Sequence, residues 1–129
     1  MKRYLPSAAL AAALVLGAST AAQAQSLTGS WQGFAQGIQF NLVVQPDGAY
    51  SETQRSGSLM TMQSGVIQAA GAGEIAFVVE DWQPKDLPYG GGQTTKPPGG
   101  IWSVQFNGPN SVTMQDVRLH GVVTFTRTQ

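Results

Sequence analysis

The chain has no cysteine, one histidine and little charge, with seven basic and seven acidic residues among 129. The missing cysteine excludes disulfides, thiol chemistry and a lipid anchor built on a cysteine. A single histidine, His120, excludes a His-rich metal site. Beyond Lys2 and Arg3 the basic residues are Arg55, Lys85, Lys96, Arg118 and Arg127, each isolated, so the counterion-release footprint of a nucleic-acid binder is missing. The one long apolar run, Ala8–Ala18, is eleven residues. As a helix it rises about 16 Å, short of the ~30 Å hydrocarbon core that a membrane span must cross.

That run has another use. Lys2 and Arg3 precede it, and Ala22-Gln23-Ala24 puts small residues at both cleavage-determining positions. This is the three-part pattern of a secretory signal. Residues 1–24 are therefore expected to be removed, leaving a periplasmic or secreted chain with no membrane span. Without Lys2 and Arg3, five basic residues face seven acidic ones, a formal charge of −2. Residues 25–129 form one domain, stabilised by burial and hydrogen bonds alone.

Along that domain the pattern has period two, and helical periodicity is missing. Large apolar residues fall at every even position of Ile38–Gln45, Ile75, Phe77 and Val79 share a face of Glu74–Glu80, and Trp102, Val104 and Phe106 share a face of Ile101–Asn107. Pro46-Asp47-Gly48, Arg55-Ser56-Gly57, Gly71-Ala72-Gly73 and Gly108-Pro109-Asn110 punctuate the runs as turns. The spacing predicts eight strands: Leu27–Gln36, Ile38–Gln45, Ala49–Arg55, Ser58–Ala69 with a bend at Gly65, Glu74–Glu80, Gly100–Asn107, Ser111–Asp116 and Gly121–Thr128. Tight turns between consecutive strands favour an antiparallel meander, and closing it removes the exposed edges. The fold class is all-β, an eight-stranded antiparallel up-and-down barrel whose interior is filled by side chains or holds one small ligand. One connection is long: Asp81–Gly99, "DWQPKDLPYGGGQTTKPPG", has four prolines and four glycines in nineteen residues, so a regular element is not expected across it.

The residues do not assemble an enzyme. Asp116 is the acid nearest His120, with a turn expected between them, so a nucleophile, base and orienter do not converge. Glu80 and Asp81, adjacent on a strand end, point to opposite faces. With Asp86 they would offer calcium three carboxylates, but without EF-hand spacing. Gly90-Gly91-Gly92 lacks the G-K-[ST] and the helix of a phosphate loop. The expectation is a non-enzymatic protein with no cofactor and no metal.

Gly29-Ser30-Trp31 in the first strand and Arg127 in the last resemble the calycins, the group containing lipocalins and avidins. The resemblance implies a lipocalin-like barrel with Trp31 closing one end and Arg127 packed across it, a structural cation–π pair. "SLTGSW" and "GVVTFTR" are similar to the first and last strands of avidins. Two positions depart from that family: Gly33 stands where avidins carry a ureido-binding asparagine, and Val123 where they carry an aspartate or asparagine. The resemblance therefore extends to the barrel and not to biotin. Small bacterial inhibitors of secreted metalloproteases are similar in size and compartment, but they use a free N-terminal tail and commonly a disulfide, which this chain lacks.

The function expected is binding of a small apolar or amphipathic ligand inside the barrel. Leu42, Tyr50, Met60, Met62, Phe77, Trp102, Phe106 and Met114 are expected to point inward, with Trp82 and Tyr89 of the long connection covering the mouth. The ligand-binding set is thus Tyr50, Met60, Met62, Phe77, Trp82, Tyr89, Trp102 and Phe106. The alternative is an envelope protein-interaction module acting through residues 81–99, with inhibition of a protease as a minor form of it.

Overall fold

Each alternating run becomes a strand: β1 (Gly29–Ala35), β2 (Ile38–Val44), β3 (Ala49–Ser56), β4 (Leu59–Gly71), β5 (Glu74–Gln83), β6 (Ile101–Gly108), β7 (Ser111–Asp116) and β8 (Val122–Arg127). The computed structural model describes residues 27–128; the expected signal and the mature start at Gln25 lie outside the described residues. Consecutive strands pair antiparallel, and β1 pairs with β8 through Trp31↔Arg127 and Gly33↔Phe125, which closes the up-and-down barrel. Strand direction gathers the β1–β2, β3–β4, β5–β6 and β7–β8 connections at one end, the mouth. The chain entry, the other three turns and the end of β8 form the floor.

The predicted period-two faces become the core. Leu42, Val44, Ile75, Val112, Met114 and Phe125 are buried inside, while Phe34, out of phase with Trp31 and Gly33 on β1, is exposed. Tyr50 packs edge-on against Phe77 with centroids 4.9 Å apart, and Phe77 against Trp102 at 6.4 Å. Such contacts add to the burial of each ring.

Two local irregularities shape the mouth. On β4–β5, Ser64 pairs with Asp81 but Gly65 pairs with Val79, leaving Glu80 as the extra residue of a β-bulge. The bulge changes the phase of β5, so Val79 and Trp82, three positions apart, both face the interior. Gly65 sits at the bend because a Cβ there would land on the Val78 carbonyl. The second irregularity is the short pairing of β6 with β5, Glu74–Ala76 against Ile101–Ser103. Above it the end of the long connection lies against β5, with the Phe77 N–H donating to the Gly100 carbonyl at 3.1 Å. Gly99, at φ 75°, permits this approach, since a Cβ would meet the Phe77 carbonyl.

The connection is more ordered than its composition suggests. Strand β5 runs on through Asp81, Trp82 and Gln83, so the true connection starts at Pro84. Asp86 bridges to Gln93, the Leu87 N–H donates to the Gly92 carbonyl at 2.7 Å, and Pro88–Gly90 forms a 3-10 turn. Backbone groups that the prolines cannot pair into a sheet are satisfied within this small excursion.

Candidate functional site

The floor is locked by the first and last strands. Trp31 is 1% exposed, and its indole N–H donates to the Leu27 carbonyl at 2.7 Å. The Arg127 guanidinium carbon lies 4.2 Å from the Trp31 ring centroid. The same guanidinium donates to the Thr28 carbonyl at 2.7 Å and, through Nε and Nη2, to the Pro109 carbonyl at 3.2 and 3.1 Å. It thereby ties the chain entry and the β6–β7 turn across the buried indole.

The mouth end holds a cavity of about 380 Å³. Its apolar lining comes from β2, β5, β6, β7 and β8: Phe40, Phe77, Trp82, Trp102, Met114, Val123 and Phe125. Pro84, Thr94, Thr95, Pro97, Pro98 and Gly99 add a wall from the long connection. That wall is anchored by its indoles: Trp82 Nε1 donates to the Thr94 hydroxyl at 3.0 Å, Thr94 donates to the Pro84 carbonyl at 2.6 Å, and Trp102 Nε1 donates to the Gly99 carbonyl at 3.1 Å.

The remaining wall is polar. Inward positions of β3 above Tyr50 are Glu52 and Gln54, and those of β4 are Thr61 and Gln63. Register places Leu42, Glu52, Gln63 and Trp82 side by side across four strands. Glu52 Oε1 accepts from Gln63 Nε2 at 2.8 Å and Gln54 Nε2 at 3.1 Å. Burial holds the Glu52 carboxyl above the usual range, against the two amides, which favour the ionised form. Burial likewise pushes the Tyr50 hydroxyl up, with the Glu52 and Glu80 charges adding to it. Two buried polar atoms lack a partner among the described residues, Tyr50 Oη and Gln63 Oε1.

The residues expected at a ligand site separate into three groups. Met62, Phe77, Trp82 and Trp102 line the cavity together. Tyr50 and Phe106 belong to the core below it and are not in its lining. Met60 and Tyr89 are corrections. Met60 is exposed because the inward phase of β4, set by Ile67 and Gly65, continues through Gln63 and Thr61. Met62 shares the outward phase and reaches only the rim, with its side chain partly exposed. Tyr89 is fully exposed at the tip of the connection, so it does not cover the mouth. The polar wall was missed, although counting back in twos from Ile67 reaches Gln63 and Thr61, and counting forward from Tyr50 reaches Glu52 and Gln54.

The other chemistry-bearing groups have structural partners. Asp116 Oδ1 accepts from the backbone N–H of Leu119 at 2.9 Å and of Arg118 at 2.8 Å. The Leu119 bond first, then the Arg118 bond and the charges of Arg118 and His120, hold Asp116 below the usual aspartate range against a burial penalty. His120 sits exposed in that turn at φ 64°. Asp81 is paired with Lys85 at 2.7 Å, and that hydrogen bond keeps its carboxyl low. Among the described residues no group of three or more His, Cys, Asp or Glu side chains is placed to hold a metal ion, and no helix is long and apolar enough to cross a membrane. Neither the protein-family models nor the curated proteins compared with this chain give a match.

Proposed function

We propose that this chain is an exported, non-enzymatic barrel protein that holds one small apolar or amphipathic molecule in its mouth. The observation that carries the reading is the cavity of about 380 Å³, walled by aromatic side chains and bearing a few convergent polar groups. Small-molecule sites have that composition, and their volumes run from ~300 to ~1,000 Å³. The locked floor supports it too, since it leaves one end of the barrel for entry. Export rests on the signal pattern of residues 1–24.

A relation to the calycins is supported by the Trp31–Arg127 pair and by the closed eight-stranded meander. Biotin is disfavoured sterically as well as chemically. A Cβ at position 33 would meet Val123 Cγ1 at 2.8 Å, so the interior has no room for the polar side chain that avidins place there. Native mass spectrometry of the mature protein, purified gently from its own source, should find a small-molecule mass that is lost on denaturation. A bare mass that stays bare after addition of envelope extract would sink the reading.

A second reading, protein contact through the long connection, draws on Leu87 and Tyr89, which stand exposed at its tip. Removing Leu87–Gly92 leaves the Lys85–Thr94 neck and the cavity wall in place. That deletion should abolish partner capture under the second reading and leave small-molecule binding intact under the first.

A further inference from the structure

The walls of the cavity differ in chemistry, and the difference points to one end of a ligand. Among the described lining residues are two carboxylates, Glu52 and Asp116, and no lysine, arginine or histidine. Asp116 has charge and hydrogen-bond partners of its own in the β7–β8 turn. Among the described residues the hydrogen-bond partners of Glu52 are two neutral amides, and both bind the same oxygen, Oε1. Next to it, Gln63 spends its amide N–H on Glu52 and leaves Oε1 buried without a donor. Glu52 and Gln63 are directly paired across β3 and β4 and both side chains line the cavity, so a ligand that reaches Glu52 meets the Gln63 amide beside it. A buried acceptor without a donor costs free energy, and a buried carboxylate without a cation costs more. The same cavity is lined by Trp82, which pairs with Gln63, and by Phe77 and Trp102, aromatic rings that suit both an apolar body and a positive charge.

We propose that the cavity selects small cationic amines, the ammonium donating to Glu52 and to Gln63 Oε1 while an aromatic or alkyl body lies against Phe77 and Trp102. This rests on the cavity being a small-molecule site. An ammonium supplies both missing elements at once, a counter-charge for Glu52 and a hydrogen for Gln63. An anionic ligand of the same shape would bring a second negative charge beside Glu52. Gln54 and Gln63, which donate to Glu52, and Tyr50, whose hydroxyl feels its charge, supply no positive charge.

The test uses three matched probes, phenethylamine, phenethyl alcohol and phenylpropionate, titrated into the mature protein by calorimetry, with indole fluorescence of Trp82 and Trp102 as a second signal. The amine should bind about tenfold or more tightly than the alcohol, and the carboxylate most weakly. Glu52→Gln, which keeps shape and hydrogen bonding, should erase the amine's advantage while the alcohol's affinity changes little. The comparison of the three probes on unaltered protein stands even if that variant fails to fold. Equal binding of all three, or preference for the carboxylate, overturns the amine assignment and leaves the cavity reading in place. Binding of none overturns both.

Discussion

Replacing Arg127 by methionine keeps the apolar stem and removes the guanidinium, which isolates what the charge contributes to the floor. Three losses follow from the geometry. The part-buried bond to Thr28 O at 2.7 Å involves a charged donor and is worth about 1.5 kcal/mol, at the low end for such bonds. The exposed pair of bonds shares one acceptor, Pro109 O, and adds roughly 0.5 kcal/mol. The contact over Trp31 adds about 0.5–2 kcal/mol. Together Arg127→Met should destabilise the barrel by about 2.5–4 kcal/mol, a large share of the ~5–15 kcal/mol typical of a domain. Urea denaturation would show this as a lower midpoint at unchanged slope. In a double-mutant cycle with Trp31→Leu, which removes the π face, the coupling should be about 0.5–2 kcal/mol. A loss under about 0.5 kcal/mol for Arg127→Met would refute the floor lock, and zero coupling would remove the indole contact from it. Probe affinity at the mouth should not change, because the cavity lining excludes both residues.

Other perturbations act at single points. Gly65→Ala drives a methyl into the Val78 carbonyl and should cost more than about 2 kcal/mol in a thermal or urea melt, with a neutral result arguing against the bulge geometry. Glu52 has a raised folded pKa, so the unfolded chain releases that proton first. Stability therefore falls as pH rises from the ordinary glutamate range through the folded pKa, and Glu52→Gln should gain on the parent over that window. A constant difference from pH 4 to 8 would mean that Glu52 is not desolvated. Asp116 behaves in the opposite sense. Its lowered pKa stabilises the fold above the ordinary aspartate range, and the benefit is lost as pH falls, so Asp116→Asn should reduce acid sensitivity.

The barrel was legible because each strand buries one face, and a period of two with glycine and proline turns leaves little choice of architecture. Trp31 and Arg127 were legible through the resemblance to calycins and because Arg127 shares the parity of Val123 and Phe125; the structure sets the two at one register position across the closing strand pair. The cavity was less so, for two physical reasons. Apolar character marks the inward face of most strands, but on β3 and β4 the upper interior is polar, and Met60 and Met62 sit on the other phase. Phase had to be counted from the firmly buried Tyr50 and Ile67. The bulge at Glu80 then changes that count within β5, and its effect on Trp82 depends on pairing with β4, which no single strand reveals. The proline-rich connection carries no periodicity at all. Its hold on the barrel comes from the side chains of Trp82, Thr94 and Trp102, at separations that local pattern does not join.

The methionines offer the most direct view of the cavity, because they sample its floor, its rim and the outside. Met114 is buried in the lining, Met62 lies at the rim, and Met60 is exposed beyond it. Methyl NMR of methionine-labelled protein, titrated with phenethylamine or with small molecules extracted from its own source, reports all three at once. Ligand held in the mouth predicts a saturable shift of Met114, a smaller one of Met62, and a stationary Met60. A stationary Met114, or a shift confined to Met60, would contradict the cavity as the functional site.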